Sequence, residues 1–355
     1  MKLLMYGVNK ETVIKEDVIK YSLHKEKKIS QIHEINQFVG VEELIILTND
    51  FRNEYYLYVD ETVFSHGEFL RYLAEQTSKT LQEIILETYS KFNEDVLRHL
   101  FEVSNGYLTN PIGSFKGLET VEKAIHFARK TNTNGEVLLK LFNDAIELTY
   151  DFKLNEAVQP LNKSIISKYI YLLKKKMGTL DKKNYLISGN DFEVCYLAKS
   201  LLLAGAQTIT VIQRTEEESL KQVQNVTAYM TDAESAKVFA VTSKSLHYRI
   251  SKSDAAILNT SEIDLFDEDT IDNVAIIRQT KKKQYLIDTS ENPLTEIDKE
   301  QLDIFFIDAN SNVSFNDEQI NLAIAKFDEE IQSHIEHFML QFEELQVEKS
   351  KEITH

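Results

Sequence analysis

Between residues 184 and 307, short apolar segments alternate with amphipathic ones. Residues 184–188 and 208–212 have the apolar character of buried strands, and residues 191–203 between them have the spacing of an amphipathic helix. Strands that alternate with helices are typical of a parallel, doubly wound α/β sheet. The pattern predicts further strands at residues 238–241, 255–258, 274–277, 285–287 and 304–307.

The chain before this region has a mixed pattern. Aromatic and β-branched runs predict strands at residues 2–8, 43–48 and 54–59, with a polar elbow at residues 49–53. Apolar residues at helical spacing make residues 64–102 helix-rich, and two more helices are expected at residues 118–129 and 137–148. An α+β domain is therefore predicted over residues 1–155, followed by a Rossmann-like domain over residues 156–312.

The last part of the chain, residues 313–355, predicts one long helix. Its apolar side chains are separated by three or four residues and form a narrow seam, which is close to coiled-coil spacing. Such a seam needs a partner surface, and a second subunit is preferred here to packing on the same chain. A homodimer through this helix is the prediction. The seam consists of Ile320, Ile324, Phe327, Ile331, Ile335, Phe338, Phe342 and Leu345.

Composition excludes several classes of protein. A formal charge of −17 opposes tight general binding of nucleic acid. No apolar run reaches the length of a membrane span, and the first residues do not read as a secretory signal. The single cysteine, Cys195, excludes an intrachain disulfide, and His334 with His337 lacks further ligands for a metal. We expect a cytoplasmic protein without a metal.

The turn after the predicted strand at residue 184 is where a dinucleotide fold places its pyrophosphate loop. That loop needs three small residues, for the turn, for backbone approach to phosphate and for helix packing. Here Gly189 is followed by Asp191 and Val194 in place of the other two. One reading is a fold without tight cofactor binding. The other is residual NADPH binding through Gly189, Arg214 and Thr215, because an Arg after the second strand can meet a 2′-phosphate.

The order of several motifs resembles that of glutamyl-tRNA reductase, an enzyme of tetrapyrrole synthesis. The motifs lie in the same order along nearly the whole chain. Residues 7–12 are similar to G-[IV]-N-H-x-T, residues 45–56 to V-I-L-S-T-C-N-R-T-E-I-Y, residues 98–103 to H-L-F-R-V, residues 104–125 to the segment that contains G-E-P-Q, residues 211–215 to V-x-N-R-T, and residues 287–293 to I-D-[IL]-A-V-P-R.

This resemblance implies three parts: a catalytic-type domain, an NADP-binding-type domain and a helical dimerisation arm. The family chain is longer, so the arm is expected to be shortened here. Arg52 and His99 match residues of the family's active-site region, which hold the glutamyl group and handle protons. Glu54, Gly113, Gly189 and Arg214 are also retained.

The departures from the family pattern fall on working residues. The family's nucleophilic Cys, which forms a thioester with the substrate, corresponds to Asp50. The His of the first motif is Lys10, and the Asp, Glu and Gln of the substrate loop are Leu108, Ser114 and Lys116. Cys195 lies in a helix of the other predicted domain and does not replace the thiol.

Three functions follow as alternatives. The first is a catalytically degenerate relative, a pseudoenzyme, that regulates or scaffolds tetrapyrrole-pathway enzymes, with weak or no NADPH and tRNA binding. The second is an active NADPH-dependent reductase that forms glutamate-1-semialdehyde by modified chemistry, with Asp50, Arg52 and His99 in its site. The third, and least favoured, is a module that binds haem or another small ligand. His99 is equally compatible with a structural role on a helix face.

Overall fold

The structure is a computed structural model that describes residues 1–21, 23–109, 112–133, 135–228, 230–260, 268–278, 282–291 and 303–352. These residues form two compact units. Unit 1 consists of Met1–Phe152 together with the chain from Asn321 onward, and unit 2 consists of Lys153–Ile320. The boundaries predicted from the sequence lie at residues 155 and 312, whereas the structure groups the last helix with the first unit.

Unit 1 is built on an antiparallel sheet with the strand order β2-β3-β1-β4. Side chains alternate between the two faces of a strand, so Tyr55 and Leu57 face one core while Glu54 and Tyr56 face the other. Every residue of β3 is buried, because helices cover both faces of this central strand. The strands are β1 (Lys2–Asn9), β2 (Val41–Asn49), β3 (Arg52–Val59) and β4 (Tyr89–Phe92).

The helices of unit 1 lie on both sides of this sheet. Residues from α2 and α3 join Tyr55 and Leu57 in one apolar core. On the other face, the ring of Tyr56 meets Phe142 of α7 edge to face at 5.1 Å. The helices are α1 (Lys15–Tyr21), α2 (Lys25–Ile35), α3 (His66–Thr77), α4 (Leu81–Glu87), α5 (Glu94–Ser104), α6 (Lys116–Thr131) and α7 (Glu136–Leu154).

The last helix, α14 (Asp317–Glu352), belongs to the core of unit 1. Phe327 stacks on Tyr107 at 5.0 Å between ring centroids, and Phe342 meets Tyr58 at 5.7 Å. Arg98 of α5 donates a hydrogen bond to Gln332 at 2.8 Å. The seam is thus covered by the same chain, and an uncovered seam no longer argues for a dimer. The buried seam residues are Phe327, Ile331, Ile335, Phe338 and Phe342.

Unit 2 has a parallel sheet with the strand order β10-β9-β8-β5-β6-β7. This is the doubly wound arrangement, with the order reversing next to β5. The multidomain α/β fold class predicted from the sequence is therefore confirmed. The strands are β5 (Asn184–Ile187), β6 (Thr208–Gln213), β7 (Val238–Thr242), β8 (Ala255–Leu258), β9 (Gln284–Asp288) and β10 (Ile304–Asp308).

Helices connect these strands. α9 begins where the sequence predicts, since the Asn190 side chain caps its first turn by accepting from the Glu193 amide at 3.0 Å. A 3₁₀ helix spans Glu156–Leu161 and a second, single-turn one spans Ser243–Ser245. The α-helices are α8 (Ile165–Met177), α9 (Asp191–Leu203), α10 (Glu216–Thr227), α11 (Asp232–Ser235), α12 (Leu246–Lys252) and α13 (Glu268–Ile277).

Two predictions of secondary structure are wrong. Residues 274–277 are the end of helix α13 and not a strand. Residues 89–92 form the edge strand β4 inside the segment predicted to be helix-rich. A short apolar run is compatible with either element, and tertiary pairing decides between them. Pro293, the last matching position of the motif at residues 287–293, lies outside the described residues.

Candidate functional site

The turn between β2 and β3 carries the position of the predicted nucleophile. Its shape is set by Asn49, whose Oδ1 accepts hydrogen bonds from the amides of Phe51 at 2.8 Å and Arg52 at 3.1 Å. Such an Asx turn replaces backbone partners with a side chain. The Asp50 side chain at its tip is exposed. The turn therefore presents a carboxylate to solvent on a well-defined backbone.

Two other segments are held against this turn. The amide of Lys10 donates to the Phe51 carbonyl at 3.1 Å, and Asn49 Nδ2 donates to Thr120 Oγ1 of α6 at 3.0 Å. Together they enclose a cleft of about 660 Å³. Its wall combines cations with carboxylates: Lys10, Arg52, Lys116 and Lys123 with Glu11, Asp50 and Glu119.

Behind the cleft, the carboxylate of Glu54 is fully buried and accepts four hydrogen bonds. Its Oε1 accepts from Arg52 Nη1 at 2.9 Å, from Tyr89 OH at 2.6 Å and from His99 Nε2 at 2.9 Å. Its Oε2 accepts from Tyr56 OH at 2.8 Å. We call these five residues the Glu54 cluster. A buried charge persists only when it is paired and fully hydrogen-bonded, and the cluster meets both conditions.

Electrostatics keep this carboxylate ionised. Burial opposes its charge, but electrostatic interaction with the neighbouring His99 and Arg52, with the hydrogen bonds from His99 and Tyr89, lowers the pKa of Glu54 well below its usual range. Burial and the adjacent Glu54 charge raise the pKa of Tyr89 and of Tyr56 above the usual range. Both phenols therefore remain protonated donors at neutral pH.

Gly7 of β1 makes room for the cluster. It lies between Glu54 and Tyr89 in the sheet, opposite both of them. A Cβ at this position would stand 2.8 Å from Glu54 Cγ and 3.1 Å from the Tyr89 hydroxyl. The glycine of the opening motif is thus needed for space, because Glu54 of β3 and Tyr89 of β4 contact each other across β1 at this position.

The structure brings the predicted residues together only in part. Asp50 and Arg52 both line the cleft, and Arg52 links it to the Glu54 cluster. His99 of α5 is buried behind, bonded to Glu54, which supports its structural role. Sequence reasoning missed Tyr56 and Tyr89. Tyr56 follows Glu54 with strand spacing and could have been noticed, but Tyr89 was placed on a helix and gave no signal.

Two of the three predicted cofactor residues line one pocket of unit 2, and the third, Thr215, follows Arg214 in the chain. Gly189 and Arg214 line this cavity of about 680 Å³. Thr215 caps α10, accepting from the Glu218 amide at 3.2 Å, while Glu218 accepts from the Thr215 amide at 3.0 Å. The first turn of α9, where a pyrophosphate would bind, contains Asp191 and Glu193. These residues do not fit a dinucleotide phosphate, because like charges would face each other there.

Other predicted features are placed as follows. Cys195 lies on α9 in unit 2, with its sulfur 4.0 Å from the carbonyl oxygen of Asn225. His334 packs against Phe101, and His337 lies 3.0 Å from Gln341 Nε2. Within the described ranges, no cluster of three His, Cys, Asp or Glu side chains could hold a metal ion. Among these same residues, no helix has both the length and the apolar character to span a bilayer.

Comparison with known proteins agrees with the motif pattern. Residues 6–154 match the family described as Glutamyl-tRNAGlu reductase, N-terminal domain. Glutamyl-tRNA reductase of Brevibacillus brevis is 27% identical over 219 residues, which cover 62% of this chain and 48% of the relative. The enzyme of a Synechocystis species is 24% identical over 219 residues, 62% of this chain and 51% of its own.

The matched part thus spans about half the length of these curated relatives. Among solved structures, glutamyl-tRNA reductase from Methanopyrus kandleri aligns over 97% of this chain and 81% of its own, with 19% identity and a TM-score of 0.49. The predicted resemblance is confirmed, and residues 6–154 are the part of the chain that matches the model of the glutamyl-tRNA reductase N-terminal domain.

Proposed function

We propose that this relative of glutamyl-tRNA reductase acts in tetrapyrrole metabolism without performing the family's acyl transfer, as a regulator or scaffold of a pathway enzyme. The observation that carries the proposal is Asp50. It occupies the tip of the β2–β3 turn, in the cleft, where the family motif has the nucleophilic Cys.

The chemistry of that position supports the proposal. A carboxylate is a much weaker nucleophile than a thiolate, and its attack on an aminoacyl ester would give a mixed anhydride instead of a thioester. Asp50 is exposed at the turn, so solvent weakens it further as a nucleophile. The thiol of Cys195 belongs to unit 2 and is engaged near Asn225.

The Glu54 cluster supports a second candidate, an active reductase with altered chemistry. Arg52, Glu54 and His99 keep their family identities and form a complete hydrogen-bonded network. A degenerate protein also needs this network, because an unpaired buried charge would strongly destabilise the domain. The cluster is therefore compatible with both candidates, and Asp50 favours the first.

A reductase assay separates them. The full chain is incubated with glutamyl-tRNA and NADPH, and glutamate-1-semialdehyde is trapped and quantified. We expect the wild-type protein and Asp50→Asn to give the same background. Aldehyde formation by the wild type that Asp50→Asn abolishes would establish the active reductase instead.

The variant Asp50→Cys sharpens the same experiment. A glutamyl adduct on the new thiol, detected by intact-protein mass spectrometry, would show that the cleft still accepts the ester and that only the nucleophile is missing. The matched control is Glu11→Cys, which places a thiol elsewhere on the cleft wall.

The regulatory role needs its own test. Tagged full chain is mixed with a purified glutamyl-tRNA reductase or with the aminomutase that follows it, and binding is measured by light scattering. We expect a complex with one of them and a change in its turnover. Absence of binding to both, with no change in tetrapyrrole output when the gene is deleted, would contradict this role.

Three further properties are proposed, each with its own test. A homodimer is tested by sedimentation over a range of concentrations. Haem binding, the least favoured function, is tested by a titration that looks for a Soret shift. With a charge of −17, weak tRNA binding is expected, measured by filter retention of labelled tRNA at moderate salt.

A further inference from the structure

The start of helix α9 already holds its own negative charges. A helix N-terminus carries a partial positive charge and free amides, which attract anions. Here Asp191 and Glu193 lie in the first turn, and Asn190 caps the Glu193 amide. Glu193 Oε2 stands 3.2 Å from the position that a Cβ on Gly189 would take. A carboxylate therefore lies against the glycine that a pyrophosphate would have to approach.

The glycine itself is held from the opposite side. Its carbonyl oxygen accepts from Gln213 Nε2 at 3.0 Å and from Gln222 Nε2 at 2.8 Å. Gln213 Nε2 also donates to Gln222 Oε1 at 2.6 Å, so each of the two buried side-chain amides fixes the orientation of the other. Side chains of β6 and α10 thus hold the Gly189 carbonyl at the end of β5.

The far end of the pocket carries both signs of charge, because Arg214 and Lys221 line it together with Glu218. Arg214, the residue suited to a 2′-phosphate, is followed by Thr215 and then by Glu216, Glu217 and Glu218 in the first turn of α10. The Thr215 hydroxyl is used in the capping box with Glu218. A phosphate beside Arg214 would thus lie next to the Glu218 carboxylate, at a helix start whose first turn holds three glutamates.

We infer that unit 2 does not bind a dinucleotide and that Asp191 and Glu193 take the place of the pyrophosphate at the start of α9. The fold keeps its strand–turn–helix geometry because these side chains neutralise the helix end from within. The inference is independent of the proposed function, since it does not involve Asp50 or the cleft of unit 1.

The test measures NADPH binding to the full chain by the change in its fluorescence at low ionic strength. The wild type is compared with Asp191→Asn/Glu193→Gln, which removes both charges at nearly constant size. The matched control is Asp232→Asn/Glu234→Gln, in the first turn of α11, away from the pocket. We expect no saturable binding by the wild type and the control at any NADPH concentration used, and saturable binding by the first variant with a Kd at least about tenfold below the highest concentration.

Thermal unfolding supplies the second readout. If the carboxylates neutralise the helix end, Asp191→Asn/Glu193→Gln lowers Tm relative to the wild type. If the loop were a phosphate site, removal of acidic groups would raise Tm. Saturable micromolar NADPH binding by the wild type, an unchanged affinity in the variant, or a raised Tm would overturn the inference. None of these results alters the outcome of the Asp50 assay, so the two proposals fail separately.

Discussion

The Glu54 cluster of unit 1 and the Gly189 turn of unit 2 differ in which groups compensate a local charge: hydrogen-bonded side chains in the first, and carboxylates at a helix N-terminus in the second. In unit 1 Arg52, Glu54 and His99 keep the identities of the family motif, and each has a hydrogen-bond partner. In unit 2 the backbone remains, but Asp191 and Glu193 fill the place of a ligand. The difference shows that a family site can retain its side chains, as in unit 1, or only its backbone conformation, as in unit 2.

The physical reason lies in the cost of change. Glu54 cannot lose a donor without leaving a buried charge short of a partner, whereas the exposed start of α9 tolerates any residue that suits the helix dipole. Retention of Arg52 and His99 is thus explained by stability and does not by itself indicate catalysis.

The largest effect is expected for Glu54→Gln. Loss of the carboxylate leaves Arg52 buried without its counter-ion, and the free energy of unfolding should fall by about 3–5 kcal/mol. Urea unfolding at pH 7 measures it. The control is Glu61→Gln, whose exposed carboxylate pairs with Lys2, with an expected cost of about 0–1 kcal/mol. Equal losses in the two variants would contradict a structural role of the cluster.

The next largest loss of stability is expected for a substitution in the seam of α14. Ile331→Ala removes a fully buried side chain, and we expect a loss of about 2–5 kcal/mol. Leu340→Ala, at a position that is 63% exposed, is the control and should change little. Because the seam packs within its own chain, the loss should not depend on protein concentration. A dependence on concentration would indicate that a second subunit covers the seam.

Acid should weaken unit 1 through the same carboxylate. The folded pKa of Glu54 lies below the unfolded one, so its contribution is complete above the unfolded pKa and is lost as pH falls toward the folded value. Urea midpoints are measured from neutral pH downward. Tyr89→Phe keeps the charge but removes one donor, which raises the folded pKa of Glu54, so the loss should end at a higher pH and be smaller in total than in the wild type. Identical profiles would exclude Glu54 as the source.

Gly7→Ala tests the space between the partners. The added methyl group meets Glu54 and Tyr89, and a cost of about 1–3 kcal/mol is expected from overpacking. Gly67→Ala, in α3 with no atom within 4 Å of the new Cβ, is the control, where we expect no loss. A neutral Gly7→Ala would mean that the cluster can shift at no cost.

The smallest effect is predicted for Thr215→Ala in unit 2. If Thr215 serves only as a helix cap, its loss costs about 1 kcal/mol. Thr231→Ala removes the cap of α11 with the same capping-box geometry and should cost a similar amount. Stabilisation of the wild type by NADPH that disappears in Thr215→Ala alone would assign Thr215 to a ligand.

Much of this fold was accessible from the sequence because its signals are local. The amphipathic spacing of residues 191–203 predicts helix α9 with the observed bounds, and in the structure the Asn190 cap fixes its start. Strand β4 was missed because its four residues continue a helical spacing of apolar side chains, and only pairing with β1 defines it. The seam of α14 was recognised, but spacing alone does not tell which chain covers it.

The candidate site was predictable to the same extent. The motif identifies Asp50 and Arg52, which lie two residues apart on one turn. The meeting of Glu54 with Tyr89 and His99 depends on strand and helix neighbours that are distant in sequence. The role of Gly7 could not be predicted from the sequence, because this residue only leaves space for a contact between two other residues.

The docking of α14 on unit 1 also has a consequence for biosynthesis. The first domain to leave the ribosome lacks the helix that covers Tyr58 and Tyr107 until nearly the whole chain has been translated. All of unit 2 is synthesised before α14 is complete, so unit 2 can fold first. During this time the apolar face of the first 152 residues that α14 later covers remains exposed. A nascent chain of this protein should therefore depend on chaperones at its amino-terminal half for longer than at its middle.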